Sequence, residues 1–186
     1  MGAWNVMSYG WPYTTREIPS YLLAMTMDRV RGVKAAQTHN QTGKTQRDSY
    51  VSFIEDADIR EHFLHIAKKV NQDVGWGFDI DTIEPLQYGE YPIGGEYGWH
   101  QDVHDKPYKD GRVRKMSFSV FLNDTFEGGE FDLEIYSPAV ENRYETFRSL
   151  PDTALFFKSD QWHRVRPITN GIRRSIVGWV LGPKMK

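Results

Sequence analysis

The sequence predicts an α+β fold, two helices followed by a large β structure, and three observations predict it. Apolar residues at helical spacing occur twice, at Ile18–Val30 and Ile59–Val70, both before Gly75. After Gly75 the pattern changes to short runs rich in β-branched and aromatic residues, with Gly, Pro and Asn between them. Aromatic residues make up 14% of the chain, a supply that suits a β core or an aromatic-lined pocket. Helices first and strands afterwards describe a chain whose C-terminal part, about two thirds of it, is a sandwich or jelly roll.

Taken in order, Trp4, Tyr9, Trp11, Pro12 and Tyr13 make residues 4–15 an extended segment laid against the body of the protein. Ile18, Tyr21, Leu22, Met25 and Val30 then carry helical spacing, with Pro19 and Ser20 as start signals and Gly32 as the stop. A strand is expected over Val33–Thr38. The polar run His39–Asp48 has no periodicity and reads as a mobile loop, long enough to be a lid. Tyr50–Ile54 alternates as a strand does. Asp56 and Asp58 open a second helix, with Ile59, Phe63, Ile66, Ala67 and Val70 on its buried face. His62 and His65 on that helix have metal-capable spacing but no acidic partner, so they read as surface residues.

Strands are then expected at Phe78–Ile80, Ile83–Tyr91, Tyr97–His100, Met116–Leu122, Gly129–Ile135, Thr153–Phe157, His163–Arg166 and Ile172–Val180. Gly128-Gly129 marks a tight turn or bulge. The charged stretch Val103–Lys115 is a solvated loop or a second lid, and Trp179 packs in the core. With 186 residues and neither repeat nor linker, the chain reads as a single domain over 1–186, its β core at about 78–182.

Composition narrows the chemistry. There are no cysteines, which removes disulfides, thiolate metal sites and cysteine nucleophiles and leaves His, Asp and Glu as metal ligands. A net charge of −2 speaks against steering toward nucleic acid or anionic membranes. No apolar run approaches the ~20 residues that span a bilayer, and Met1–Asn5 lacks the features of a secretion signal, so a cytoplasmic location is expected. The sequence carries no signal for oligomeric state.

Within this frame His100-Gln101-Asp102 stands out. On an extended strand, side chains two apart share a face about 7 Å apart, so His100 and Asp102 can bend onto one ion. A second imidazole from a distant strand would complete two His and one carboxylate, leaving three adjacent positions open, as non-haem Fe(II) requires to bind a co-substrate and O2 together. His163 begins a strand 61 residues beyond Asp102. Arg173 follows ten residues later, with Ser175 on its face, and Tyr91 lies nine residues before His100. A guanidinium beside such a triad implies an anionic co-substrate, because its fork of donors matches a carboxylate.

These lines resemble a family. Leu86 through Asp102, Ser119–Asp124 running into Gly128-Gly129-Glu130, and His163–Arg173 are similar, in order and spacing, to the Fe(II)- and 2-oxoglutarate-dependent oxygenases, specifically their prolyl 4-hydroxylase-like branch. The resemblance implies a double-stranded β-helix (jelly roll) with N-terminal helices packed on one sheet. It implies His100, Asp102 and His163 as iron ligands and Arg173 as partner of the distal carboxylate of 2-oxoglutarate. Tyr91 would line the same pocket, and Ser175 would assist the carboxylate. Phe121 departs from the pattern, since some prolyl hydroxylases have a tyrosine there whose hydroxyl contacts 2-oxoglutarate. Ser117 and Ser119, on the same strand face, are candidates to replace it.

The implied cofactors are Fe(II), 2-oxoglutarate and O2, with ascorbate as a further candidate. The implied reaction is hydroxylation of a prolyl or similar residue of a peptide or protein, with release of succinate and CO2. Two other readings stay open on the residues: hydroxylation of a free amino acid or small molecule, and a silent jelly-roll binding module. The full triad together with Arg173 argues against the last.

Overall fold

Pro19, extended at φ −55° and ψ 131°, ends a strand exit and Ser20–Val30 follow as helix α1. A computed structural model describes residues 12–31, 36–40, 47–135 and 143–184. Helix α1 buries Leu22, Leu23 and Thr26, whereas Tyr21 and Met25 are exposed. The buried stripe is thus narrower than the apolar spacing suggests. Thr26 can join it because its hydroxyl donates to the Leu22 carbonyl at 2.6 Å.

Helix α2, Ala57–Asp73, starts where Asp56 predicts. The Asp56 carboxylate accepts from the Asp58 and Ile59 amides, both at 3.1 Å, and from Arg29 Nε at 2.7 Å. Arg29 first, then the Ile59 amide, hold the carboxyl below its ordinary range. Ile59, Phe63, Leu64, Ala67 and Val70 are buried; Leu64 takes a place expected for Ile66, which is only half-buried. Asp56→Ala should lower the melting temperature by about 2–4 °C, measurable by calorimetry.

The strands are β1 Tyr13–Glu17, β2 Ala36–Asn40, β3 Arg47–Ile54, β4 Thr82–Ile83, β5 Leu86–Tyr91, β6 Glu96–His100 and β7 Arg112–Phe121. They continue as β8 Phe126–Gly128, β9 Phe131–Glu134, β10 Tyr144–Phe147, β11 Thr153–Lys158, β12 His163–Val165, β13 Ile168–Gly171 and β14 Arg173–Pro183. Antiparallel pairing runs β1-β11-β7-β14-β5-β3, then β6-β12-β9-β10, while β8 and β13 pair apart. Strand β3 is the corner. It pairs with β5 along most of its length, and its first residues pair with β6 through Arg47↔Tyr97 and Asp48↔Glu96. The sheet therefore curls until its halves face each other, the jelly roll expected.

Period-2 alternation sorts the side chains. Phe118 and Val120 of β7, Ala154 and Phe156 of β11, and Ile176 and Val180 of β14 pack with α1 and α2. Phe63 of α2 stacks on Phe118 at 5.3 Å and 11°. The opposite face joins Phe121, Leu155 and Phe157 to Phe131, Leu133 and Val165 of the second half. Between these halves lies the site.

Several expectations are corrected. Phe78–Ile80 form no strand, because the Asn71 side chain takes both main-chain groups of Phe78 at 2.8 and 3.0 Å. The single strand expected over Ile83–Tyr91 breaks at Glu84-Pro85 into β4 and β5, since proline offers no ladder donor. Strands β8, β10 and β13 are too short to show alternation. His39, Asn40, Arg47 and Asp48 pair in the β2–β3 hairpin instead of forming loop. The lid expectation is left with residues 41–46, which lie outside the described residues, as do 4–11 of the aromatic N-terminal segment and Val33–Ala35 of the expected strand. Tyr13–Glu17 are an edge strand on β11. Among the described residues no helix is long and apolar enough to cross a membrane.

Candidate metal centre

His100 ends β6 and His163 starts β12, and the two are direct antiparallel partners. Their ring centroids are 4.1 Å apart. Asp102 is not on the strand with His100, as the alternation argument supposed. It sits at a bend two residues past the strand end, where its amide donates to Ser159 O at 2.9 Å. The same outcome, two ligands on one side, is thus reached by a turn.

The pairing between β6 and β12 slips by one residue between His100 and Tyr97, which is a β-bulge. It brings Tyr97, three residues before His100, onto the same side. The Tyr97 ring stacks on the His100 imidazole at 3.6 Å and 16°, and Arg47 lies over the Tyr97 ring at 4.6 Å. Tyr97 was not foreseen, although Gly98 inside a strand is the signal of such a bulge.

Both imidazoles are held through Nδ1. His100 Nδ1 meets Gly98 O at 2.8 Å and His163 Nδ1 meets Gln161 O at 2.9 Å. With Nδ1–H donating to a carbonyl, Nε2 keeps its lone pair for the centre. Burial, then the neighbouring His163, pushes the His100 pKa down to about 3, so the ring is neutral at ordinary pH. Burial opposes ionisation of Asp102, but His163, His100, the Ser117 hydroxyl and Arg114 together hold its carboxyl below the ordinary value. Asp102 Oδ2 is buried without a hydrogen-bond partner and lies 3.6 Å from His163 Nε2; Oδ1 lies 3.9 Å from His100 Nε2. One ligand atom from each residue falls within 4.8 Å of the others. An orphaned buried carboxylate oxygen facing two imidazole lone pairs fits a divalent cation of the borderline kind.

Arg173 is the second feature. It is 1% exposed, and its Nε and Nη2 have no hydrogen-bond partner; Nη1 donates to Ser175 Oγ at 3.1 Å. Its guanidinium lies 5.4 Å from the Tyr91 ring centroid and 5.6 Å from that of Phe121. Burial pushes the guanidinium down from its usual pKa while Tyr91 opposes, yet arginine stays charged at neutral pH. Gly129, at φ +66°, makes room for it, because a Cβ there would meet Ile168 Cδ1 at 2.2 Å and Arg173 Cδ at 3.2 Å.

His100, Asp102, His163, Tyr91, Arg173, Ser175 and Ser119 all line one cavity. Ser117 does not; its hydroxyl meets Ser159 Oγ at 2.9 Å. Of the two serines proposed to replace the tyrosine missing at Phe121, Ser119 is the one that faces the cavity. Gln87 and Trp179 also line it, and Trp179, for which core packing was favoured over a place at the substrate mouth, presents a buried indole N–H without a partner. His62 and His65 are exposed, His104 and Asp105 lie in an exposed loop, and Arg174 turns away to pair with Glu90 at 2.9 Å.

The comparisons agree with this geometry. The pattern of the 2OG-Fe(II) oxygenase superfamily matches residues 86–181, just over half the chain, and the chain belongs to that superfamily. A PKHD-type hydroxylase of Synechococcus sp. (strain CC9902) is 32% identical over 103 residues, 54% of this chain and 43% of that one. Another, from Picosynechococcus sp. (strain ATCC 27264 / PCC 7002 / PR-6), is 32% identical over 101 residues, 53% and 42% of the two chains. The chain thus spans less than half the length of these curated relatives. Among solved structures, a Pseudomonas putida prolyl-4-hydroxylase superposes with a TM-score of 0.67 at 19% identity, covering 94% of each chain. The viral collagen prolyl hydroxylase of Paramecium Bursaria Chlorella virus-1, in its 2OG complex, gives 0.67 at 15%, covering 92% of this chain and 96% of that one. A Trichoplax adhaerens prolyl hydroxylase in complex with a hypoxia inducible factor peptide fragment gives 0.61 at 20%, covering 91% and 83%. These likenesses show the fold. Membership of the superfamily implies Fe(II), 2-oxoglutarate and O2.

Proposed function

We propose that the protein is a 2-oxoglutarate-dependent dioxygenase that hydroxylates a prolyl or similar residue of a peptide or protein, releasing succinate and CO2. The observation that carries this reading is one buried cavity holding both a His-Asp-His set with an unpaired carboxylate oxygen and a guanidinium with two unpaired nitrogens. His100, Asp102 and His163 would hold iron at one end of the cavity. Arg173 takes the distal carboxylate of 2-oxoglutarate, with Ser175, Tyr91 and Ser119 beside it. Bound there, the metal and the 2-oxo acid supply an O2-derived oxidant for a C–H bond.

The chain's own part is to orient and to shield. Main-chain carbonyls fix both imidazoles in the tautomer that exposes Nε2. Arg173 sets the direction of the co-substrate by its planar donor fork. Tyr97 covers one face of His100 and, with Phe131 and Phe157, keeps the cavity apolar around the triad. The prolyl substrate is supported by the solved prolyl hydroxylases of the same fold and by the peptide held in the Trichoplax adhaerens enzyme among them. In this reading the chain is one oxygenase domain over 1–186, its β core at about 78–182, and ascorbate serves as a supporting reductant.

The test is a peptide and metabolite screen with Fe(II), 2-oxoglutarate and O2, read by succinate release and a mass gain of one oxygen atom. A prolyl peptide gaining oxygen in step with succinate supports the reading. Oxygen appearing only on a free amino acid or small molecule would replace the substrate, and no succinate under any condition would overturn the activity.

A further inference from the structure

The four residues Ser159–Trp162 join β11 to β12, and their main-chain carbonyls reach two of the three candidate ligands. Ser159 O accepts the Asp102 amide at 2.9 Å, and Gln161 O accepts His163 Nδ1–H at 2.9 Å. His100 is held separately, by Gly98 O. The place of the Asp102 main chain and the tautomer of His163 therefore depend on the same short turn.

What holds the turn is a buried amide. Gln161 is 3% exposed. Its Oε1 accepts the Lys158 amide at 2.9 Å and its Nε2 donates to Glu134 O at 2.9 Å, so one side chain ties the end of β11 to the end of β9. Its own amide donates to Lys158 O at 3.0 Å. Ser159, 1% exposed, adds a bond from its amide to Lys115 O at 3.1 Å. The Gln161 side chain does not line the cavity; the residue reaches His163 only through its main-chain carbonyl. Take its amide away and two main-chain groups lose their partners, which the chain answers by shifting the turn.

We propose that Gln161 is a positioning residue for the metal centre, setting Asp102 and His163 together through the Ser159–Trp162 turn. The proposal rests on the reading of His100, Asp102 and His163 as metal ligands. It predicts a specific pattern: weaker metal binding, with the Arg173 end of the cavity left alone, because Arg173, Ser175 and Tyr91 sit on β14 and β5 and share no bond with the turn.

The probe is Mn(II) alone, titrated into the full chain and followed by the electron paramagnetic resonance of the free ion. Gln161→Met keeps the length and loses both hydrogen bonds. Gln161→Glu keeps the acceptor for Lys158 and loses the donor to Glu134, and it decides the matter if the methionine variant does not fold. Leu22→Ala, in the helical core on α1, is the control for lost stability without a link to the turn. Both Gln161 variants should bind Mn(II) about 10–100-fold more weakly than the unmodified chain, the range for outer partners of metal ligands. The Michaelis constant for 2-oxoglutarate at saturating metal should stay within about twofold, and Leu22→Ala should leave the Mn(II) constant unchanged. Gln161 variants that bind as the unmodified chain does, or a Leu22→Ala variant weakened as much as they are, would overturn the proposal. An unmodified chain that binds no Mn(II) would instead overturn the metal-centre reading beneath it.

Discussion

Replacing His163 by Ala should remove metal binding and turnover while the fold persists. His163 is 4% exposed and packs against Phe131 at 5.4 Å and Phe157 at 4.7 Å, so the truncation leaves a cavity in the inner face of the sheet. That costs stability in the range of about 2–4 kcal/mol, enough to lower the melting temperature but not to abolish the β12 ladder with β6 and β9. The effect on metal is larger. Loss of an outer partner costs about 10–100-fold in affinity, and loss of the ligand itself should exceed that range. Calorimetry gives the first quantity and Mn(II) titration the second. A variant that keeps both metal and turnover would refute the ligand assignment.

Arg173→Met should move stability and function in opposite directions. The guanidinium is fully buried with two unpaired nitrogens, so without its anion it is a desolvated charge with a single hydrogen bond. Methionine fills similar space without that penalty, and buried charges replaced by apolar residues are often neutral or stabilising by about 1–4 kcal/mol. The free protein should therefore melt at the same temperature or higher. Hydrogen bonds to charged groups are worth about 1.5–3 kcal/mol each, and two of them lost from 2-oxoglutarate should raise its Michaelis constant by more than about 100-fold. A variant that melts much lower would mean that Arg173 is a structural strut. An unchanged Michaelis constant would move the carboxylate partner elsewhere.

Much of the fold was legible because it follows local rules. Two helices showed their spacing and their start signals at Pro19 and Asp56, and the long strands β7, β11 and β14 alternate over five or more residues. That His100, Asp102 and His163 come together was legible, but how they do so was not. Alternation puts Asp102 on a strand beside His100, whereas the strand ends first and a turn supplies the carboxylate. Tyr97 escaped notice because strict alternation puts residues three apart on opposite faces, and only a bulge reverses that. Gln161 was invisible for another reason. A glutamine in a polar turn reads as solvated, and nothing local reveals that its amide bridges to Glu134, 27 residues away. Arg173 and its neighbour Arg174 lie on opposite faces of β14, one lining the cavity and the other paired with Glu90.

The central claim is that the His-Asp-His set and Arg173 form one two-part site, metal at one end and 2-oxo acid at the other. The most direct test is anaerobic calorimetric titration of 2-oxoglutarate into the protein with and without Fe(II). The account predicts binding that requires the metal in the unmodified chain, and loss of that binding in both His163→Ala and Arg173→Met. Binding of equal strength without Fe(II), or no binding with it, would contradict the account.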